Sequence, residues 1–370
     1  MQHLHLALMV AVVLALLICG ECFAAIRPSF SLEYSAWHAS DIVVVARGAE
    51  PGGKVTVLET WKGSLSKGDS LTVPGLPEGE PEVSQMPFGG KEPAVTAVSG
   101  QRMILFLVRQ ATNPKAPADA GGADKPSQVA WGSADLFGGM NVSMVWVEKG
   151  QVYNFSQIKN PGPSLLVARN QTEEQFKKQV DAVLADQIKV QKVLAIKDPS
   201  ERARTLKPMA AGVNTDLQQA AMNGVAACGK QGLPVLREML ADDAYYQSCV
   251  VNSLVKALGD EAGPELTAIL KQDLEYWRKL GPTLPVGWWN ANARGNSGQT
   301  LIYQNRYGRL YTCLCSLRAL KYAEAAEVVT ALRDFWRSLP QLEDKSGLNQ
   351  ISQECDAVLK AILPPDARGQ

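Results

Sequence analysis

His38 and Asp41 are the first residues along the chain whose types and spacing could act together chemically. An imidazole and a carboxylate three apart can meet on one helical turn, which is the pairing a general base needs. The alternative is a histidine with a structural role. A second group is Asp273, Glu275 and Arg278, beside Tyr276 and Trp277. A carboxylate with a raised pKa next to a buried Trp would suit acid–base hydrolysis. Carboxylates two apart on a helix diverge, however, so the expectation here is a solvated helix face. Gly224-Val225-Ala226-Ala227-Cys228-Gly229-Lys230-Gln231 approaches a phosphate-binding loop. Gln231 stands where Ser or Thr must hold magnesium, and the stretch crosses a helix end instead of following a strand. The remaining group is Trp288 and Trp289, followed by Asn290, Asn292 and Arg294, within the Gly/Asn-rich segment 281–298. Helical periodicity does not account for adjacent Trp residues there. Exposed, they form an aromatic platform for a glycan or another protein; folded back, the two indoles fill a gap between helices. The ligand-binding candidates are therefore Trp288, Trp289, Asn290 and Arg294. No catalytic residue, metal ligand set or cofactor is assigned.

The composition narrows the chemistry further. The 370 residues carry 37 Lys+Arg against 37 Asp+Glu, so there is no basic excess of the kind nucleic-acid binding requires. Leu6 to Cys19 is an uncharged apolar run, too short to span a membrane comfortably and suited to the core of an export signal. Cys22 and Ala24 supply small residues at −3 and −1, so residues 1–24 are expected to be a signal peptide. No later stretch is apolar enough to span a membrane, and the exported chain is expected to be secreted or periplasmic. Removing the signal leaves His38 as the sole histidine, together with Cys228, Cys249, Cys313, Cys315 and Cys355. A zinc site built from several histidines is thereby excluded.

Two kinds of element must position these residues, giving an α+β chain of two domains. Residues 25–160 read as a β domain. Asp41–Ala46 and Lys54–Trp61 are rich in β-branched residues, and Arg102–Val108 is a continuous apolar run suited to a strand buried on both faces. Glu148-Lys149-Gly150 between two alternating runs signals a hairpin. Short strands with Gly/Pro punctuation predict a small barrel or sandwich. The stretches 74–93 and 111–127 are loops by composition. Residues 161–370 read as helical. Thr172-Glu173-Glu174-Gln175 is a capping box, and Asp198-Pro199 opens a helix. Ala227-Cys228-Gly229, Pro234, Leu236 and Leu240 recur at Ala257-Leu258-Gly259, Pro264, Leu266 and Leu270, all offset by 30 residues. A weaker copy at Ala319-Leu320 and Leu332 lies 62 further on. Such helix pairs must stack to cover their apolar faces. In that register Cys228 and Cys249 lie roughly 13 Å apart along the axis, too far for a disulfide.

The helical units resemble HEAT repeats. The run Ala36-Trp37-His38-Ala39-Ser40-Asp41-Ile42-Val43-Val44, with Trp61-Lys62-Gly63, resembles the start of netrin-like modules, OB-type barrels that include inhibitors of metalloproteinases. Those modules carry a Cys near the position of His38 and an N-terminal Cys for the protease zinc, and neither is present here. The resemblance therefore implies a barrel and adds little to an inhibitory role. The run from Ser143 through Asn160-Pro161-Gly162-Pro163, with Gly287-Trp288-Trp289-Asn290, is similar to an exported bacterial family of unassigned activity. The functional expectation is an exported, non-enzymatic binding or scaffold protein whose partner is another protein or, second, a glycan. The alternatives are a carboxylate-dependent hydrolase of an extracytoplasmic polymer and a protease inhibitor.

Overall fold

The computed structural model describes residues 30–48, 53–73, 76, 101–110, 130–134, 143–156, 165–212, 214–281, 298–339 and 349–363. The expected signal peptide and most of both Pro/Gly-rich stretches lie outside them. The chain divides into two compact units, Met1–Ala185 and Asp186–Gln370. No helix among the described residues is long and apolar enough to cross a membrane.

The first unit is an antiparallel sheet preceded by helix α1 (Leu32–His38). Its strands are β1 (Asp41–Arg47), β2 (Lys54–Lys62), β3 (Ser70–Thr72), β4 (Arg102–Gln110), β5 (Ala130–Ser133), β6 (Met144–Glu148), β7 (Gln151–Ser156) and β8 (Leu165–Thr172). Their order is β3-β2-β1-β4-β6-β7-β8, with β5 beside β4. Among the described strands the sheet does not close, where the sequence predicts a barrel. Strand β4 pairs with β1 on one edge and divides the other edge between two partners. Arg102–Leu105 pairs with β6, while Leu107–Gln110 pairs with β5. Strand β8 also carries the sheet past the domain boundary expected at residue 160.

Strand β4 has a core on each face, as its unbroken apolar run requires. Met103, Leu105 and Leu107 join Val43, Val45 and Trp146 on one side. Ile104 and Phe106 join Ile42, Val44 and Ala36 on the other, where Phe176, Val180 and Val183 of α2 (Glu173–Leu194) cover them. The hairpin forms at Lys149-Gly150, whose φ values of 48° and 75° suit a primed two-residue turn. The capping box that opens α2 is reciprocal: the Gln175 N–H donates to Thr172 Oγ1 at 3.2 Å, and the Thr172 N–H donates to Gln175 Oε1 at 2.9 Å.

The second unit is helical: α3 (Pro199–Leu206), α4 (Thr215–Ala226), α5 (Leu233–Leu240), α6 (Gln247–Leu258), α7 (Gly263–Leu280), α8 (Gly298–Leu320), α9 (Ala326–Ser338) and α10 (Asn349–Ile362). Asp198 caps α3 through the Glu201 N–H at 2.6 Å, with Pro199 in the first turn. The pairs α4–α5, α6–α7 and α8–α9 each turn on one residue of positive φ, namely Gly229 (58°), Gly259 (57°) and Lys321 (51°). These three are spaced by the same 30 and 62 residues as the sequence pattern, and a short 3₁₀ turn follows in each case. Helices α4, α6, α8 and α10 pack successively on one another, and α7 packs on α8 and α9. Ion pairs join equivalent segments of the first two pairs: Lys230–Glu261 at 2.5 Å, and Arg237 with Glu265. Cys228, Cys249, Cys313, Cys315 and Cys355 are free thiols.

Candidate functional site

His38 and Asp41 are not a catalytic pair. Helix α1 ends at His38 and β1 begins at Asp41, so their spacing of three does not span a helical turn. The His38 ring packs on Tyr34, with centroids 4.2 Å apart. The buried Asp41 carboxylate accepts from the Ser64 N–H at 2.8 Å, from Ser40 Oγ at 3.0 Å and from Arg109 Nε at 3.2 Å. Lys62 Nζ donates to the carbonyls of Ala36 and Trp37 at 3.1 and 3.4 Å, which satisfies the C-terminal end of α1. The segments 36–41 and 62–64 thus meet in one structural knot that ties α1 and β1 to β2 and β4.

Burial pushes the Asp41 carboxyl up, but its hydrogen bonds from Ser64, Arg109 and Ser40 outweigh this and hold it below the usual value. A carboxylate lowered in the folded state contributes stability above its unfolded pKa, about 3.9, and loses that contribution as pH falls through the folded value. Asp41→Asn is expected to open β1 and β4 by about 1–3 kcal/mol at pH 7. The deficit relative to wild type should shrink below about pH 4. Hydrogen exchange of peptides spanning these strands checks this, and a deficit independent of pH would refute it.

Asp273 overturns the solvated-face expectation. Glu275 and Arg278 are exposed, but the Asp273 side chain is 0% exposed. It faces Arg309 of α8, whose Nε donates to one carboxylate oxygen at 3.0 Å and whose Nη2 donates to the other. Burial raises the Asp273 carboxyl above its usual value, against the opposing pull of Arg309. Arg309 Nη1 also donates to the Leu240 carbonyl at 2.9 Å and to Gln247 Oε1 at 3.1 Å.

From there the polar contacts run into the loop between α5 and α6. Gln247 Nε2 donates to the carbonyls of Met239 and Asp242 at 3.1 and 2.9 Å. Asn305 of α8 accepts from the Gln247 N–H at 2.8 Å and donates to the Tyr245 carbonyl at 2.8 Å. Arg306 grips Asp243 with two bonds of 3.0 Å, and its guanidinium lies 4.3 Å from the centre of the Tyr276 ring. The loop is therefore held at both ends and in its middle. It turns Tyr245 inward, at 6% exposure, and Tyr246 outward, at 62%.

Against this loop lies a cleft of about 440 Å³. Loop residues 243–246 and Ser248 form one wall, Ile302, Gln304, Asn305 and Gly308 of α8 another, and Gln218 of α4 closes the side. A Cβ on Gly308 would come within 2.7 Å of Ser248 Oγ, so the missing side chain is what lets the wall sit this close. Its walls are hydrogen-bonded into place.

Among the described residues, no group of three His, Cys, Asp or Glu could hold a metal ion. The near phosphate-binding loop serves packing and turning. Gly224 lies against Leu194 and Leu206, Gly229 makes the turn, and Lys230 pairs with Glu261. Trp288, Trp289, Asn290 and Arg294 lie outside the described residues. Sequence reasoning missed Arg309, Arg306, Gln247, Asn305 and Tyr246. One signal was available: Leu266, Ile269, Leu270, Asp273, Leu274 and Trp277 follow a single helical stripe, which makes Asp273 a core position. No protein-family model, curated protein or solved structure matches the chain, so the reading of this cleft rests on its own geometry.

Proposed function

We propose that the protein is an exported, non-catalytic binding module. In this reading residues 1–24 are a signal peptide, the sheet unit is a netrin-like or OB-type module, and the helices are HEAT-like repeats that present the binding surface. The braced cleft between the α5–α6 loop and α8 carries the proposal. Walls fixed before the ligand arrives reduce the ordering cost of binding. Catalysis by a carboxylate would instead need an oxygen free to exchange a proton with substrate. Both oxygens of Asp243, the acidic residue of the lining, accept from Arg306. The partner is a protein or a glycan. The Trp288–Trp289 segment is a second contact surface of the same module, joined in sequence to the start of α8.

A hydrolase is the second reading, because Asp273 has a raised pKa in the same helix as buried Trp277. It ranks lower, since Arg309 occupies both Asp273 oxygens and Asp273 is not among the cleft's lining residues.

The test immobilises the full chain and measures retention of extracytoplasmic proteins and glycans. Wild type is compared with Tyr246→Ala/Gln304→Ala and with Trp288→Ala/Trp289→Ala. A ligand lost from the first variant supports the cleft. Equal retention by wild type and the first variant removes the cleft from the proposal, and equal retention by the second variant removes the tryptophans.

A further inference from the structure

Building on the reading of this cleft as a binding site, we infer that its ligand is a neutral oligosaccharide. The first reason is charge. Asp243 is the sole charged residue among the lining residues, and both its oxygens are engaged by Arg306. That guanidinium is itself committed to Asp243 and to the face of Tyr276. An anion would find no uncommitted cation among these groups, and a cation would find no uncommitted carboxylate.

The second reason is the kind of hydrogen bonding the lining offers. Gln218 Nε2 donates one proton to the Gly212 carbonyl, and its amide also carries a second N–H and the Oε1 acceptor. Ser248 and Tyr246 add hydroxyls, and Gln304 adds an amide. These groups combine donors and acceptors around one cleft. A sugar hydroxyl, which both donates and accepts, meets them without leaving either role unfilled.

The third reason is the aromatic face. Tyr246 is 62% exposed at the cleft edge while its neighbour Tyr245 anchors the loop. A Tyr ring is apolar on its face and polar at its tip, which matches the C–H face and hydroxyl rim of a pyranose. A peptide anchored by an apolar side chain would need a deeper apolar pocket than Ala244 and Ile302 provide.

The full chain is tested on an array of neutral glucose, mannose and N-acetylglucosamine oligomers, with uronate-bearing and sulfated oligomers and a peptide array alongside. The best neutral binder is then titrated by calorimetry. The expected result is saturable binding of a neutral oligomer, weakened about tenfold by Tyr246→Ala and retained by Tyr246→Trp. Because Tyr246 is exposed, far-UV circular dichroism should be unchanged in both variants. Binding of only anionic oligomers overturns the inference. Peptide binding that depends on Tyr246, with no oligosaccharide bound, overturns the sugar and leaves the cleft standing. Oligosaccharide binding indifferent to Tyr246 and Gln304, or no binding at all, overturns the sugar and the cleft together.

Discussion

Asp273→Ala is expected to destabilise the helical unit by about 3–5 kcal/mol, since it leaves the Arg309 guanidinium buried without its counter-charge. Arg309 is 7% exposed at its side chain and cannot reach water by a rotamer change without breaking its bonds to Leu240 and Gln247. Denaturant unfolding followed by far-UV circular dichroism measures the loss. The double change Asp273→Leu/Arg309→Met should recover most of it, because an apolar pair carries no desolvation penalty. A residual deficit of about 1–2 kcal/mol is expected, since Gln247 Oε1 and the Leu240 carbonyl each lose a donor. Simple additivity of the two single losses would show that the pair is not coupled. The acid response of this pair runs opposite to that of Asp41. A carboxyl raised in the folded state favours the fold below its unfolded pKa and loses that contribution as pH rises through the folded value. Acidification therefore weakens the knot at Asp41 while easing the burial cost at Asp273.

Gly63→Ala is the second large effect, and it falls on the sheet unit. Gly63 has φ of 99°, a conformation that L side chains rarely adopt, and an added Cβ would overlap the Asp41 carboxylate. The backbone cannot relax toward negative φ without moving the neighbouring Ser64 N–H off Asp41. The cost combines about 1–2 kcal/mol of backbone strain with the loss of charge-assisted bonds of about 1.5–3 kcal/mol each. Hydrogen exchange over β1 and β2 should rise sharply, while protection of α6 to α9 stays at the wild-type level. Unchanged exchange in β1 would remove Asp41 from its role as the tie. Asp41→Asn serves as the milder control, since it keeps the shape and loses the charge and one of the two acceptor oxygens.

Much of the fold was legible in local pattern. The hairpin at Lys149-Gly150, the capping box at Thr172–Gln175 and the Asp198-Pro199 helix start each depend on residues a few positions apart, so neighbouring residues suffice to specify them. The 30-residue spacing was legible because the chain turns on a glycine of positive φ at both Gly229 and Gly259. At Lys321 the turn persists without glycine, which is why that copy reads weakly. The opening of the sheet was not legible. Strand order is a set of pairing choices between segments far apart in the chain, such as β1 with β4 and β4 with both β5 and β6.

The candidate site divides in the same way. The sequence by itself determined that Trp288 and Trp289 sit in a segment foreign to helical periodicity and that His38 is the sole histidine after residue 5, while the apolar stripe that holds Asp273 was present in it but was read as a solvated face. Only the tertiary structure decided that Asp273 meets Arg309, 36 residues away, and that Arg306, Gln247 and Asn305 hold one loop against α8. The physical reason is that a buried charge must be compensated, and burial declares that need without naming the partner. The choice among the chain's 37 cationic side chains rests on which helix the packing of the helical unit brings within hydrogen-bond reach.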